Sequence, residues 1–212
     1  MKLIIVVMMM VAVTIASLPI HIQDIYADHY AQRRWQGTRV DLCYDSYGLS
    51  YLRIDNRTNQ YTIVKQQLDI TRNDWNNQPS RFTLRLIGGQ YCSNWVYAAN
   101  IRDSIPDTVA VAILCISNTC DYDLSRLPYG YINKAMIYFN TGTEWFTTRE
   151  CSPFTTGKWT LNYVARHEFG HWVSFKHTFG SPSESVMYYA YHCDSRNSVK
   201  SVDSTELSNI YG

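Results

Sequence analysis

The sequence predicts an α+β fold: one domain in which strands and interspersed helices form a mixed α/β layer. Short apolar runs of strand character come early in the chain, and stretches of helical spacing fall among them and close it. Composition supplies enough core. Of 212 residues, 46% are hydrophobic and 17% charged, which is globular usage in a chain of single-domain length. No internal repeat and no long Gly/Ser/Pro linker interrupts it.

The elements follow in order. Val40, Leu42 and Tyr44 alternate as in a half-buried strand. Tyr61, Val64, Leu68 and Trp75 recur at helical spacing, and Pro79 closes that helix. Phe82, Leu84 and Leu86 alternate again. Val109 to Ile116 is almost wholly apolar and partly β-branched, a buried strand. Ala135, Ile137 and Phe139 give a fourth strand. Trp159 to Ser174 reads as a helix, and Ser204 to Tyr211 as a closing one, with Asp203 and Glu206 placed like a capping box.

The N-terminus predicts export. Lys2 precedes a 14-residue apolar run, Leu3 to Ala16, short of the roughly 20 residues that span a bilayer as a helix. A basic residue, a short apolar stretch and small residues after it describe a signal peptide over residues 1–27, cleaved near Ala16 or Ala27. Residues 28–212 are then the mature domain, secreted, with no membrane partner unless the segment stays uncleaved. Six cysteines (Cys43, Cys92, Cys115, Cys120, Cys151 and Cys193) agree with an oxidising compartment, although six allow 15 pairings. Cys115 and Cys120 are close enough for a local bridge, and Cys151 and Cys193 flank the 167–177 segment. Charge excludes another class of partner. Nineteen Lys+Arg against 18 Asp+Glu leave a net charge of +1, with no sign of the basic surface that nucleic acid requires.

Residues 167 to 177 read HEFGHWVSFKH. His167 and His171 are four apart, so a helix stacks them on one face, where two imidazoles bind one zinc ion from the same side. Glu168 is turned about 100° from His167, beside such an ion rather than on it, the place for a general base acting on a zinc-bound water. His177 is ten residues beyond His167, about 15 Å along a continuous helix. It reaches the same ion only if the helix breaks after His171 and the chain turns back. Asn118, Asp121 and Asp123 offer oxygen ligands for a calcium ion, against the plainer reading of a solvated acidic loop.

The long motif resembles that of the metzincin zinc endopeptidases, and Ser185-Val186-Met187-Tyr188 resembles their Met-turn. Thr178 after the third histidine is similar to the small hydroxyl residue of the matrixins. Ala135–Asn140 with Trp145 resembles the matrixin strand before the active-site helix, and Glu206–Gly212 resembles their closing helix with its terminal Tyr-Gly. The resemblance implies a twisted mixed five-stranded sheet with an active-site helix and a C-terminal helix. It implies zinc on His167, His171 and His177, Glu168 as base, Met187 beneath the metal, and a peptide substrate lying extended along an edge strand. Ser174 stands where the family has Gly, and Tyr189 where matrixins have Pro. Tyr189 also has the spacing from Met187 of the astacin and serralysin tyrosine that stabilises an oxyanion. The alternative is a residue lining the specificity pocket. The function expected is a secreted zinc-dependent endopeptidase; the alternative is a catalytically silent, zinc-stabilised peptide-binding domain.

Overall fold

The computed structural model describes residues 33–102, 104–105, 108–147, 159–179, 181, 183–190 and 197–212. The expected signal peptide over residues 1–27, Cys151 and Cys193 lie outside the described residues. The elements are β1 (Arg33–Trp35), β2 (Arg39–Tyr44), β3 (Arg53–Ile54), α1 (Tyr61–Asn76), β4 (Thr83–Leu86), β5 (Trp95–Ala99) and β6 (Ala110–Ile116). They continue with β7 (Thr119–Asp121), β8 (Gly130–Asn140), β9 (Glu144–Phe146), β10 (Trp159–Thr160), α2 (Leu161–Trp172) and α3 (Ser201–Tyr211).

The main sheet runs β4-β2-β5-β8-β6-β7, with β1 attached to β8. Its strands pair parallel except β6, which runs antiparallel to β8 and to β7. Where the resemblance implies five strands, the main sheet has seven among the described residues. Five of them, β4-β2-β5-β8-β6, make the continuous body. The additions have local causes. β8 is 11 residues long and pairs with β5 only from Met136 to Asn140, which leaves its first residues, Gly130 to Ile132, to take β1. β7 is the return arm of a tight hairpin off β6, in which Cys115 and Cys120 face each other and form a disulfide. A second disulfide, Cys43–Cys92, ties β2 to the segment leading into β5. A small parallel sheet, β10-β9-β3, lies beside the main one.

Register explains the core. Tyr44, Val96, Ile137 and Ala112 lie in one row across four strands, all buried, because alternate residues of a strand share a face. That face joins Val64, Leu68 and Trp75 of α1 and Val164 and Phe169 of α2 in one apolar cluster. The two helices are pinned to each other by polar contacts. The Trp75 indole donates to the Arg166 carbonyl at 3.0 Å, the Thr71 hydroxyl to the Asn162 carbonyl at 3.1 Å, and Arg166 pairs with Asp74.

Both late helices differ from expectation at their ends. α2 starts at Leu161, because Trp159 and Thr160 are drawn into pairing with β9, and it stops at Trp172. α3 starts at Ser201 rather than Ser204, so Asp203 lies inside its first turn and accepts from the Lys200 N–H at 3.1 Å. No helix among the described residues is long and apolar enough to cross a membrane.

Candidate metal centre

α2 forms because Leu161, Val164, Ala165, Phe169 and Trp172 recur at helical spacing and are all buried between the sheet and α1. How it ends is decisive. The Ser174 N–H donates to the His171 carbonyl at 2.9 Å and the Phe175 N–H to the Gly170 carbonyl at 3.0 Å. This is the paired bonding of a Schellman motif, which needs a left-handed residue at its hinge. That residue is Ser174, at φ 80°. The chain therefore reverses directly after the second histidine and returns the third.

The turn is held from two sides. Ser174 is 1% exposed, and its hydroxyl lies 3.3 Å from the Tyr211 phenol oxygen. That phenol also accepts the Trp35 backbone N–H at 3.3 Å, and the Trp35 indole donates to the Trp172 carbonyl at 2.6 Å. β1 and α3 thus converge on the end of α2. Burial pushes the Tyr211 phenol up to about 12, which keeps it neutral and able to donate in the ordinary range.

The reversal brings His167, His171 and His177 together, with one ligand atom from each lying within 4.8 Å of the others. His167 Nδ1 lies 2.8 Å from the Val186 carbonyl and His171 Nδ1 lies 2.7 Å from the Phe175 carbonyl. A carbonyl can only accept, so each Nδ1 is the donor and each Nε2 presents its lone pair. His167 Nε2 lies 3.1 Å from His177 Nε2. Tetrahedral zinc, with bonds of about 2.0–2.1 Å, calls for ligand nitrogens roughly 3.3 Å apart. The donor set, its tautomers and its spacing fit a zinc ion. Burial grades outward, from buried His167 through half-buried His171 to exposed His177, so the cluster opens to solvent on one side. Glu168, next to His167 on α2, is 6% exposed.

The floor is built by two residues that motif reading did not single out. A Cβ on Gly170 would lie 2.2 Å from the Met187 sulfur and 3.1 Å from a Trp75 ring carbon, so only glycine lets Met187, itself 1% exposed, pack beneath α2. Its signal was legible: a glycine inside a helix costs stability and calls for a reason such as close approach. The second residue is Asp203. Its buried carboxylate accepts the Ser185 hydroxyl at 2.5 Å and the Val186 N–H at 2.9 Å, while the Ser185 oxygen accepts the Met187 N–H at 2.9 Å. Val186 in turn holds His167. Burial raises the Asp203 carboxyl above its ordinary value, against the lowering pull of hydrogen bonds from Ser185, Val186 and Lys200. Sequence reading placed Asp203 at a helix start but had no means of seeing this partner 17 residues away.

Tyr189 follows the parallel bridge between Thr178 and Tyr188. Its N–H donates to the Thr178 carbonyl at 3.0 Å, its ring stacks on Phe179, and its phenol is hydrogen-bonded to that of Tyr188. The calcium expectation gains no support. Asp121 accepts the Asp123 N–H, Asp123 accepts from Ser125 and pairs with Arg126, and Asn118 is exposed. Among the described residues the three histidines are the one group of His, Cys, Asp or Glu placed to hold a metal ion.

Comparison with curated proteins finds no match. A family model does match: residues 121–212 fit the matrixin model, a span that contains the three histidines, Glu168, Met187 and α3. In that span the chain is similar to the matrixins, which supports a matrixin-like domain with function of the zinc metallopeptidase type.

Proposed function

We propose that this chain is a secreted zinc-dependent endopeptidase that hydrolyses peptide bonds of extended protein or peptide substrates. The observation that carries the reading is the convergence of His167, His171 and His177, with the Val186 and Phe175 carbonyls making Nδ1 the donor in His167 and His171 so that each Nε2 presents its lone pair. These three side chains would hold zinc, and bound zinc supplies Lewis acidity to a water and to the scissile carbonyl. Three neutral ligands leave the positive charge of the ion undiminished. Glu168 takes a proton from the attacking water at its carboxylate and passes it to the departing amine. Met187 and Gly170 fix the height of the cluster, and Asp203 fixes the turn that orients His167.

The test is Glu168→Gln, which keeps size and hydrogen bonding and removes basicity. Turnover of quenched peptides should fall roughly 10²- to 10⁴-fold, while zinc measured by elemental analysis stays at the parent level. A variant that keeps most of its activity removes Glu168 as base. A parent chain that holds zinc and cuts nothing favours the silent peptide-binding domain instead.

A further inference from the structure

Asn56-Arg57-Thr58 is an asparagine followed at the second position by a hydroxyl residue, the acceptor pattern for an N-linked sugar. No other asparagine in the chain stands two residues before Ser or Thr. Three residues say little alone, and their place in the fold says more.

The pattern begins at the tip of a two-residue hairpin turn that follows β3. The Ile54 N–H donates to the Arg57 carbonyl and the Arg57 N–H to the Ile54 carbonyl, both at 2.8 Å. Between them Asp55 and Asn56 have φ of 48° and 64°, the left-handed pair of a type I′ turn. The two are held differently. The Asp55 N–H donates to the Trp145 carbonyl at 2.9 Å and its carboxylate accepts the Thr147 hydroxyl at 3.0 Å, which fastens the turn to β9 and the segment after it. Asn56 is exposed, and its carboxamide has no hydrogen-bond partner among the described residues. Arg57 and Thr58 are exposed as well, and the Thr58 hydroxyl is equally unpaired. Backbone conformation accounts for Asn56, since asparagine tolerates the left-handed region. It does not account for Thr58, which lies past the turn and whose side chain neither bonds to the fold nor is buried by it.

We propose that Asn56 is an N-glycosylation site, carrying one oligosaccharide on the mature domain. The inference rests on the export half of the functional reading and is independent of zinc and of peptide cleavage. The donor class is an oligosaccharide joined to a lipid through a diphosphate. Transfer forms a bond from Asn56 Nδ2 to the anomeric carbon of the sugar and breaks the bond from that carbon to the phosphate oxygen. The lipid diphosphate departs with the bonding pair and takes up the proton that the carboxamide gives up. The disulfides Cys43–Cys92 and Cys115–Cys120 suit the oxidising compartment in which such transfer takes place. β3 is the end strand of the small sheet, so a bulky hydrophilic group at the tip of its turn screens an edge otherwise open to a strand from another chain.

In the experiment the full 212-residue chain is expressed in a eukaryotic secretory host, and cells and medium are both assayed. The parent from the medium should carry a single glycan. Peptide-N-glycosidase should convert it to a faster-migrating band in which the peptide map reads Asp at position 56. Asn56→Asp, which keeps the conformational preference of the turn, and Thr58→Ala should each lose that shift completely, whereas Thr58→Ser should retain it. An unmodified Asn56 in the parent overturns the site: in the medium it leaves export standing, and in the cells alone it refutes export too. A shift that survives both Asn56→Asp and Thr58→Ala also overturns the site. Hydrolysis of quenched peptides by the same parent sample separates the two readings. A glycosylated chain that cuts nothing upholds the site and refutes the peptidase.

Discussion

Ser174 occupies a backbone conformation that costs an L-residue about 1–2 kcal/mol, yet it is not glycine. Its hydroxyl supplies the reason, through the contact with Tyr211 at 3.3 Å. Such a bond contributes about 0.5–1.5 kcal/mol, and its length puts it at the weak end. Ser174→Gly relieves strain but loses that contact and frees the unfolded chain, so it should be neutral to within about 1 kcal/mol. Ser174→Ala loses the contact and keeps the strain, so it should be the less stable of the two by about 1 kcal/mol. Thermal melts of the zinc-loaded variants check the order; an alanine variant as stable as the glycine one contradicts it. At this scale the sequence is legible where chemistry is local. The i, i+4 spacing of His167 and His171 alone predicts their shared face, but Ser174's tie to Tyr211 and Trp35 spans distances no spacing encodes.

At the scale of elements, α2 and its turn bring the three histidines together because its end, its underside and its neighbours are all specified. Gly170 offers a test in which two principles disagree in sign. Helix propensity favours Gly170→Ala by about 1 kcal/mol. The close approach of Met187 and Trp75 opposes it, since overpacking a buried contact costs about 1–3 kcal/mol. Packing should win, lowering both the melting temperature and the zinc affinity; a variant more stable than the parent would show that Met187 moves aside freely. Legibility followed length and patterning. β2, β4 and α1 announce themselves by clean periodicity, and β6 by its apolar run. β5 does not, because Trp95 and Tyr97 stack on the face opposite the core while Val96 fills the core, leaving no polar alternation to read. β1, β3, β7, β9 and β10 have two or three residues each, too few for any period. α3's start is displaced because Asp203 acts as an acceptor inside the first turn and not as its cap.

In the whole molecule, the sheet and α1 serve as the support against which α2 is clamped, while β1 and α3 fasten the turn that returns His177. The family similarity covers residues 121–212. The earlier part of the described chain supplies Trp75, which touches Gly170, and Trp35, which holds the end of α2. Among the described residues, two disulfides fasten β2 to the approach of β5, and β6 to β7. The cluster was the most legible feature of the sequence, because its chemistry depends on a few residues at fixed spacing; the seven-strand sheet was less so, because strand addition depends on which edges remain open. The central claim is that the three histidines hold one zinc ion on which hydrolysis depends. The measurement is quenched-peptide hydrolysis by the purified chain with its zinc content followed in parallel, before chelation, after complete removal of metal, and after zinc is restored. The account predicts one zinc per chain, activity lost with the metal and regained with it. Hydrolysis that survives in the metal-free chain would contradict it.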